Sequence, residues 1–429
     1  VAQLLTVLAL PVLTRLYSPE EFSVLAVYVA ILTMVQVLAC LRLEIAIPLP
    51  EDEVEAANLL ALALVSAIAV AVMTGLLVLG FGRAFFVAID QPVLPTLSWL
   101  LPFGTWLAGS YAALQFWSTR KKRFSTLART RMVQAGSGLT AQLGLGFASA
   151  GPLGLMLGHA LMAGAGVVNL ARQVWCHDRG ALAGITKLGM REALVTYRRF
   201  PFYSTWEALA NNAAIQFPVL LIAALALGPE AGFIFLATRA IGTPVTLIGG
   251  AVGQVYLSRA PEEMRAGRLP EFTADVLKGL VRVGVAPLVF LAVVASPVFA
   301  FVFGEEWRRA GELVALMTPW FIFKLLSSPV SMVMHVKMMQ RAMLGLMATG
   351  LIFRVVITLG AYRFDPTLIA EGYVISGAVF YLVAFWVYLR ASGAGWGAVK
   401  GCASSFVLPA IAAVLAGLAV RALFAGVSL

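Results

Sequence analysis

Charge is what this sequence of 429 residues has least of: 12% of it is Asp, Glu, Lys or Arg, against 61% hydrophobic residues. Soluble domains carry about twice that share of charge, and no soluble core could absorb the surplus of apolar surface, so a soluble globular fold is excluded. Cysteine is also scarce. Cys40, Cys176 and Cys402 stand far apart without paired spacing, which excludes a disulfide framework and a zinc site and leaves them as packing residues. There is no glycine-rich phosphate loop, no His and carboxylate pair at metal spacing, and no large extramembrane segment. ATP hydrolysis on this chain is therefore excluded, no catalytic residue, metal or cofactor is expected, and the protein is read as a non-enzyme. Period-two alternation is missing too, which argues against a transmembrane barrel.

What is present is a succession of apolar runs of about 20 residues, the length a helix needs to cross hydrocarbon. Spans are read near 1–16, 23–41, 56–80, 94–117, 132–150, 152–171, 203–227, 231–257, 279–302, 311–335, 342–361, 368–389 and 403–424. The first, opening at Val1 without Met, is slightly short and is read as a true span with a piece of chain expected before it. A further helix after Leu429, or a periplasmic C-terminus, is expected at the other end.

The net charge of +10 is mostly a record of topology. Lys and Arg are retained on the cytoplasmic side of short loops, and they crowd the even-numbered connections: Arg120, Lys121, Lys122, Arg123, Arg129 and Arg131, then the 172–199 stretch, then Arg259 to Arg282. The N-terminus is thus placed in the cytoplasm, and nucleic-acid binding has no part in the reading. The acidic run from Glu51 to Glu55 reads as a solvated loop.

A faint internal repeat is visible. Ser18–Phe22 after the first span is matched by Gly228–Phe233 after the seventh, and Leu101, Pro102, Phe103 by Thr318, Pro319, Trp320, Phe321. An even number of spans separates the copies, so they share an orientation, as in transporters whose halves surround an axis along the membrane normal. The fold class expected is all-α and polytopic, with about 12–14 transmembrane helices in two parallel pseudo-repeated six-helix lobes around a central cavity. The lobes are read as 1–175 and 203–390, joined by a cytoplasmic linker at 176–202 that lies on the membrane surface, with an additional helix in 391–429.

Three basic residues fall where no loop can claim them: Arg239 in span eight, Lys324 in span ten and Arg354 in span eleven. A charge at membrane depth costs at least about 2.5–3.5 kcal/mol on insertion scales, so each must face a partner, a cavity or an interface. Three cations suit a phosphate or pyrophosphate group, for which guanidinium forks are well shaped. The plainer alternatives are an interhelix ion pair or snorkelling, and for Lys324 a pair with Glu207. Glu207 and Asn211 share a face at the start of span seven, with Asn212 and Gln216 forming a second polar row. Glu207 and Gln216 are candidates for coupling to H+ or Na+, and Asn211 and Asn212 for substrate contact, against interhelix hydrogen bonding as the alternative. His159 and His335 read as packing or interface residues.

The runs Leu10–Phe22 (LPVLTRLYSPEEF) and Leu41–Glu53 (LRLEIAIPLPEDE) resemble the N-terminal signature of bacterial polysaccharide flippases, the oligosaccharide branch of the multidrug/oligosaccharidyl-lipid/polysaccharide exporter superfamily. Phe200–Ser204, Gly228–Glu230, Ala237–Pro244 and Phe303–Trp307 agree in the second half. The resemblance implies a two-lobed bundle with a cationic cavity in the inner membrane. The implied task is moving polyprenyl-pyrophosphate-linked oligosaccharide to the periplasmic leaflet by alternating access, for cell-surface polysaccharide such as O-antigen, lipopolysaccharide or exopolysaccharide. It adds Arg15 and Arg42 to Arg239 as matching basic positions, while Lys324 and Arg354 rest on burial alone. Expected partners are the lipid-linked oligosaccharide, membrane lipids, and a polymerase and glycosyltransferases of the same pathway. An ion-coupled multidrug or metabolite antiporter, a polysaccharide-assembly enzyme and a lipid-binding scaffold are the competing readings.

Overall fold

The computed structural model describes residues 2–337 and 339–427; Val1 and Leu429, on which the terminal expectations rest, lie outside them. Among the described residues there is no strand. The helices are α1 (Ala2–Leu8), α2 (Leu10–Leu16), α3 (Pro19–Ala39), α4 (Glu53–Ala88), α5 (Leu100–Arg120), α6 (Phe124–Phe147), α7 (Pro152–His177), α8 (Lys187–Thr196) and α9 (Phe200–Leu225). They continue as α10 (Glu230–Arg265), α11 (Leu269–Phe303), α12 (Glu305–Val336), α13 (Arg341–Phe364), α14 (Pro366–Ser392) and α15 (Trp396–Val427). Nine of them, among the described residues, are long and apolar enough to cross a membrane. The chain is a multi-pass membrane protein.

Local chemistry sets the boundaries. Ser18 accepts from the Glu21 amide while the Glu21 carboxylate accepts from the Ser18 amide, a reciprocal cap reinforced by Pro19 in the first turn of α3. Asp52 caps α4 by accepting from Glu55 N at 3.0 Å. The first span differs from its expectation, being two short helices that meet at Ala9. α4 runs eight residues past its expected end at 80, which makes it roughly 54 Å long at 1.5 Å per residue.

The chain divides into two compact units, residues 1–225 and 226–429. In the first, α5 is the hub: α3, α4 and α7 pack on it, α7 also packs on α3 and α6, and α9 lies on α3. In the second, α12 is the hub for α10, α11 and α14, while α14 also contacts α10 and α13, and α15 lies on α11. Each pairing among α3 to α7 thus recurs among α10 to α14, which gives the repeat read from the sequence a physical form. Helix α9, read from the sequence as the start of the second lobe, is held in the first unit by its packing on α3.

Without a water-driven force between apolar helices, close contact depends on small residues. A Cβ on Gly138 of α6 would stand 2.7 Å from the Gly158 carbonyl oxygen of α7, and one on Gly158 would stand 2.6 Å from the Gly138 carbonyl oxygen.

The basic loop after α5 does more than record topology. Arg123 donates two 2.8 Å hydrogen bonds to the Asp178 carboxylate, Trp117 Nε1 donates a third at 2.9 Å, and Lys121 pairs with Glu53. Arg120 donates to the carbonyls of Pro48, Pro50, Glu51 and Asp52. The acidic segment is exposed at Glu51, Asp52 and Glu53, as expected, and is also pinned by cations. Burial would raise the Asp178 carboxyl, but the Arg123 and Trp117 hydrogen bonds and the neighbouring positive charges outweigh it and hold it below the usual carboxylate range. The expected linker is likewise docked: α8 packs on α4 through buried Ala193, and the Asn58 side chain accepts from Thr186 N at 3.0 Å. Cys40 is buried as expected, whereas Cys176 is exposed. The side chain of Cys402 lies outside the described residues.

Candidate functional site

The three intramembrane cations all belong to the second unit, and neighbouring contacts fix their levels. Ideal Cβ positions on Gly242, Gly249 and Gly253 of α10 meet Phe321, Ser328 and Pro329 of α12 at 3.5, 3.0 and 3.6 Å. This nearly constant offset means that the two helices run parallel, with Arg239 level with Thr318. Helix α14 runs parallel to α12 as well, since Arg309 meets Glu371, Trp320 meets Gly377 and Phe323 meets Phe385. Arg354 of α13 lies beside Trp320. Arg239, Arg354 and Lys324 therefore occupy one slab, spread over about six residues of α12 or roughly 9 Å of helix rise.

Among the described residues none of the three makes an ion pair or a side-chain hydrogen bond. Arg354 is 6% exposed, and an aromatic box takes the place of a carboxylate. Its Cζ lies 4.5 Å from the Phe380 ring centre, 5.4 Å from Trp320 and 5.6 Å from Tyr381. Trp320 is in turn fixed edge-on by Tyr373 at 5.2 Å and rests on Gly377, where even a methyl group would stand 2.4 Å from the indole. The rings attract the cation through their quadrupoles and accept none of its N–H bonds in full. Arg354 Nε, Trp320 Nε1 and Thr358 Oγ1 are buried without hydrogen-bond partners. Arg239 sits, half-buried, in a π-helical turn, Thr238–Gly242, and Lys324 is half-buried on α12.

A separate ionic clasp ties the starts of α10, α12 and α14. Arg309 Nε donates to Glu230 at 3.1 Å, and its terminal nitrogens reach Glu371 and Glu312. Beside the clasp the buried Trp307 packs edge-on against Phe233, ring centres 5.9 Å apart. The Gly228–Glu230 and Phe303–Trp307 motifs therefore serve to fasten helix ends.

The remaining sequence candidates lie in the first unit. Glu207 and Asn211 are exposed on α9 and Asn212 is half-buried, while Gln216 Nε2 donates to Thr33 Oγ1 of α3 at 2.6 Å, an interhelix bond. Arg15 is exposed on α2. Arg42 stands in a left-handed conformation, φ 60°, with its Nη1 3.9 Å from Glu44 Oε1.

Sequence reasoning found the cations and missed what surrounds them. Trp320, Tyr373, Phe380 and Tyr381 read as ordinary apolar content of spans, although Tyr373 and Phe380–Tyr381 are two turns apart on one face of α14, a spacing that points at a common neighbour. Glu44 was passed over as part of a motif, and the clasp partners Glu230 and Arg309 fell in loops.

Solved structures with the same fold include the lipid II flippase MurJ in an inward closed conformation, with TM-score 0.67 and 11% identity over 99% of this chain and 96% of that one. They also include an inward-facing multidrug resistance MATE family transporter of the MOP superfamily, with TM-score 0.65 and 15% identity over 92% and 95%. At these identities the likeness concerns the fold alone. No curated protein sequence matches. The family described as polysaccharide biosynthesis protein matches residues 12–312, well over half of the chain, and on that extent the protein belongs to the polysaccharide biosynthesis protein family.

Proposed function

We propose that this protein is a flippase that carries polyprenyl-pyrophosphate-linked oligosaccharide from the cytoplasmic to the periplasmic leaflet of a bacterial inner membrane, by alternating access, for cell-surface polysaccharide assembly. The observation that carries this reading is the slab of three cations, Arg239, Lys324 and Arg354, which have no carboxylate partner among the described residues. Charge at that depth is retained at a cost, and a diphosphate is the substrate group that three cations suit. Arg239 and Arg354 would grip phosphate oxygens in a fork, and Lys324 would supply a point charge. Arg15, Arg42, Asn211 and Asn212 are further contacts proposed along the substrate's route, and Glu207 with Gln216 are candidates for H+ or Na+ coupling. Membership of a polysaccharide biosynthesis family and a fold shared with a lipid II flippase support the reading. Polymerase and glycosyltransferases would act before and after it.

A multidrug or metabolite antiporter is the second reading, favoured by the shared MATE fold. Cationic drugs call for an acidic site, and the second unit's slab is basic. The test is translocation of a fluorescent polyprenyl-pyrophosphate sugar in proteoliposomes, with and without an ion gradient. Transport lost in Arg239→Ala and Arg354→Ala, with folding intact, supports the flippase. No movement of any lipid-linked sugar by the unaltered chain overturns it.

A further inference from the structure

Between α3 and α4 the chain turns through Cys40 to Ile47, and this turn holds a buried carboxylate. Glu44 is 7% exposed, and its Oε2 has no hydrogen-bond partner. Arg42 stands nearby at 3.9 Å, beyond hydrogen-bonding range, and its own Nε is buried and unpartnered. Two opposite charges are therefore held close without satisfying one another. The backbone is constrained around them: Leu41 and Arg42 are consecutive non-glycine residues with φ of 50° and 60°, in a region that L side chains rarely adopt.

The turn has a mechanical neighbour. Leu43–Ala46 packs against Phe200–Ser204, the π-helical, proline-containing base of α9. Helix α9 carries Glu207 and Asn211 on its exposed face. π-helical turns occur frequently at functional sites.

We propose that Glu44 is a proton-binding site, and that its change of charge is transmitted through Leu43–Ala46 to the base of α9. Uptake forms an O–H bond at Oε2 with a proton delivered by water, and leaves Arg42 without a counter-charge; release restores the carboxylate. The charged and titratable groups around it are few. Arg42 is on the same turn, and the buried Cys40, whose thiol donates to Gly109 O at 3.2 Å, closes α3. Arg120 of α5 reaches the carbonyls of Pro48 and Pro50, Glu53 and Glu55 open α4, and Tyr197 to Tyr203 precede or form the base of α9 with Arg198 and Arg199 among them. Burial pushes the Glu44 carboxyl upward, opposed by its own amide and by Arg42, which favours exchange nearer to physiological pH. As a coupling device for transport the site rests on the flippase reading; as a proton site it does not.

The test uses the full chain in phosphatidylethanolamine and phosphatidylglycerol vesicles without substrate. Amide hydrogen exchange of residues 200–210, corrected for the intrinsic rate, is followed from about pH 5 to about pH 8. The expected result is protection that changes about tenfold across that range in the unaltered chain, stays at its low-pH value in Glu44→Gln, and still changes in Glu44→Asp. A flat profile in the unaltered chain, or an unchanged pH response in Glu44→Gln, overturns the proposal. Should Glu44→Gln fail to fold, the unaltered chain and Glu44→Asp decide it. Translocation is read in parallel: a pH response of residues 200–210 with no lipid-linked sugar moved would sink the flippase and leave the proton site standing.

Discussion

Replacing Arg354 by Met separates a substrate-binding cation from a structural one. In the aromatic box the guanidinium has three rings within 5.6 Å and no ion pair. Burying it at membrane depth costs at least about 2.5–3.5 kcal/mol, and cation–π contacts to three rings that share one guanidinium, taken at about 1 kcal/mol each, return nearly the same amount. Methionine fills similar volume and packs well on aromatic rings. The thermal midpoint of Arg354→Met should therefore lie within about 4 °C of the unaltered chain, at about 2–4 °C per kcal/mol for a unit of this size. Transport should respond very differently. A charged hydrogen bond to phosphate is worth about 1.5–3 kcal/mol, so affinity for a polyprenyl-pyrophosphate sugar should fall by a factor of about 10 to 150. The assays are thermal unfolding in detergent and equilibrium binding of a fluorescent lipid-linked sugar. A midpoint lowered by more than about 10 °C with binding retained would refute the argument, because that is the signature of a broken buried pair, worth about 3–5 kcal/mol.

Other perturbations follow from the same contacts. Asp178→Ala should destabilise the first unit by about 3 kcal/mol, since it strands the buried ends of Arg123 and Trp117, as read by thermal unfolding. The Asp178 carboxyl is lowered, so its contribution is present above its unfolded value of about 3.9 and is lost as pH falls through its folded value; the Ala variant should lack that acid transition. Glu44 behaves oppositely. Its carboxyl is raised, so the stability linked to it is full below about 4.3 and declines as pH rises through the folded value, and Glu44→Gln should raise the thermal midpoint at neutral pH. Arg309→Leu, which leaves Glu230 and Glu371 facing each other, should cost about 3–5 kcal/mol, and Glu230→Gln clearly less, as compared by unfolding of both variants. Gly158→Ala should cost about 1–3 kcal/mol through overpacking against α6, visible as a lowered midpoint without a change in substrate affinity beyond the fraction folded.

The helical framework was legible because the bilayer imposes a length and an apolar composition that survive in any single sequence. The three cations were legible for the same reason, since Arg239, Lys324 and Arg354 interrupt runs that otherwise tolerate no charge. Their surroundings were hidden. Nothing distinguishes Trp320 or Phe380 in sequence from any aromatic facing lipid, and only the crossing of α12, α13 and α14 turns them toward Arg354. The acidic loop is exposed as read, at Glu51, Asp52 and Glu53, but its pinning was hidden, because Glu53 and Lys121 are far apart in sequence and meet only when α4 packs on α5. Gln216 was left between two roles, and the sequence does not show that its amide donates to Thr33 of α3.

The π-helical turn that holds Arg239 has a consequence for sequence variation. Such a turn contains one residue more than the α-helix on either side of it would need, and one residue corresponds to about 100° of rotation. A relative that lost a single amino acid from Thr238–Gly242 could keep a continuous helix, a similar length and every recognisable motif. Its half of α10 before the deletion would nonetheless be turned by more than a quarter circle relative to the half after it. The guanidinium would point to a different neighbour although no residue had been substituted. In this span, insertions and deletions carry information about direction that an inventory of conserved residues does not record.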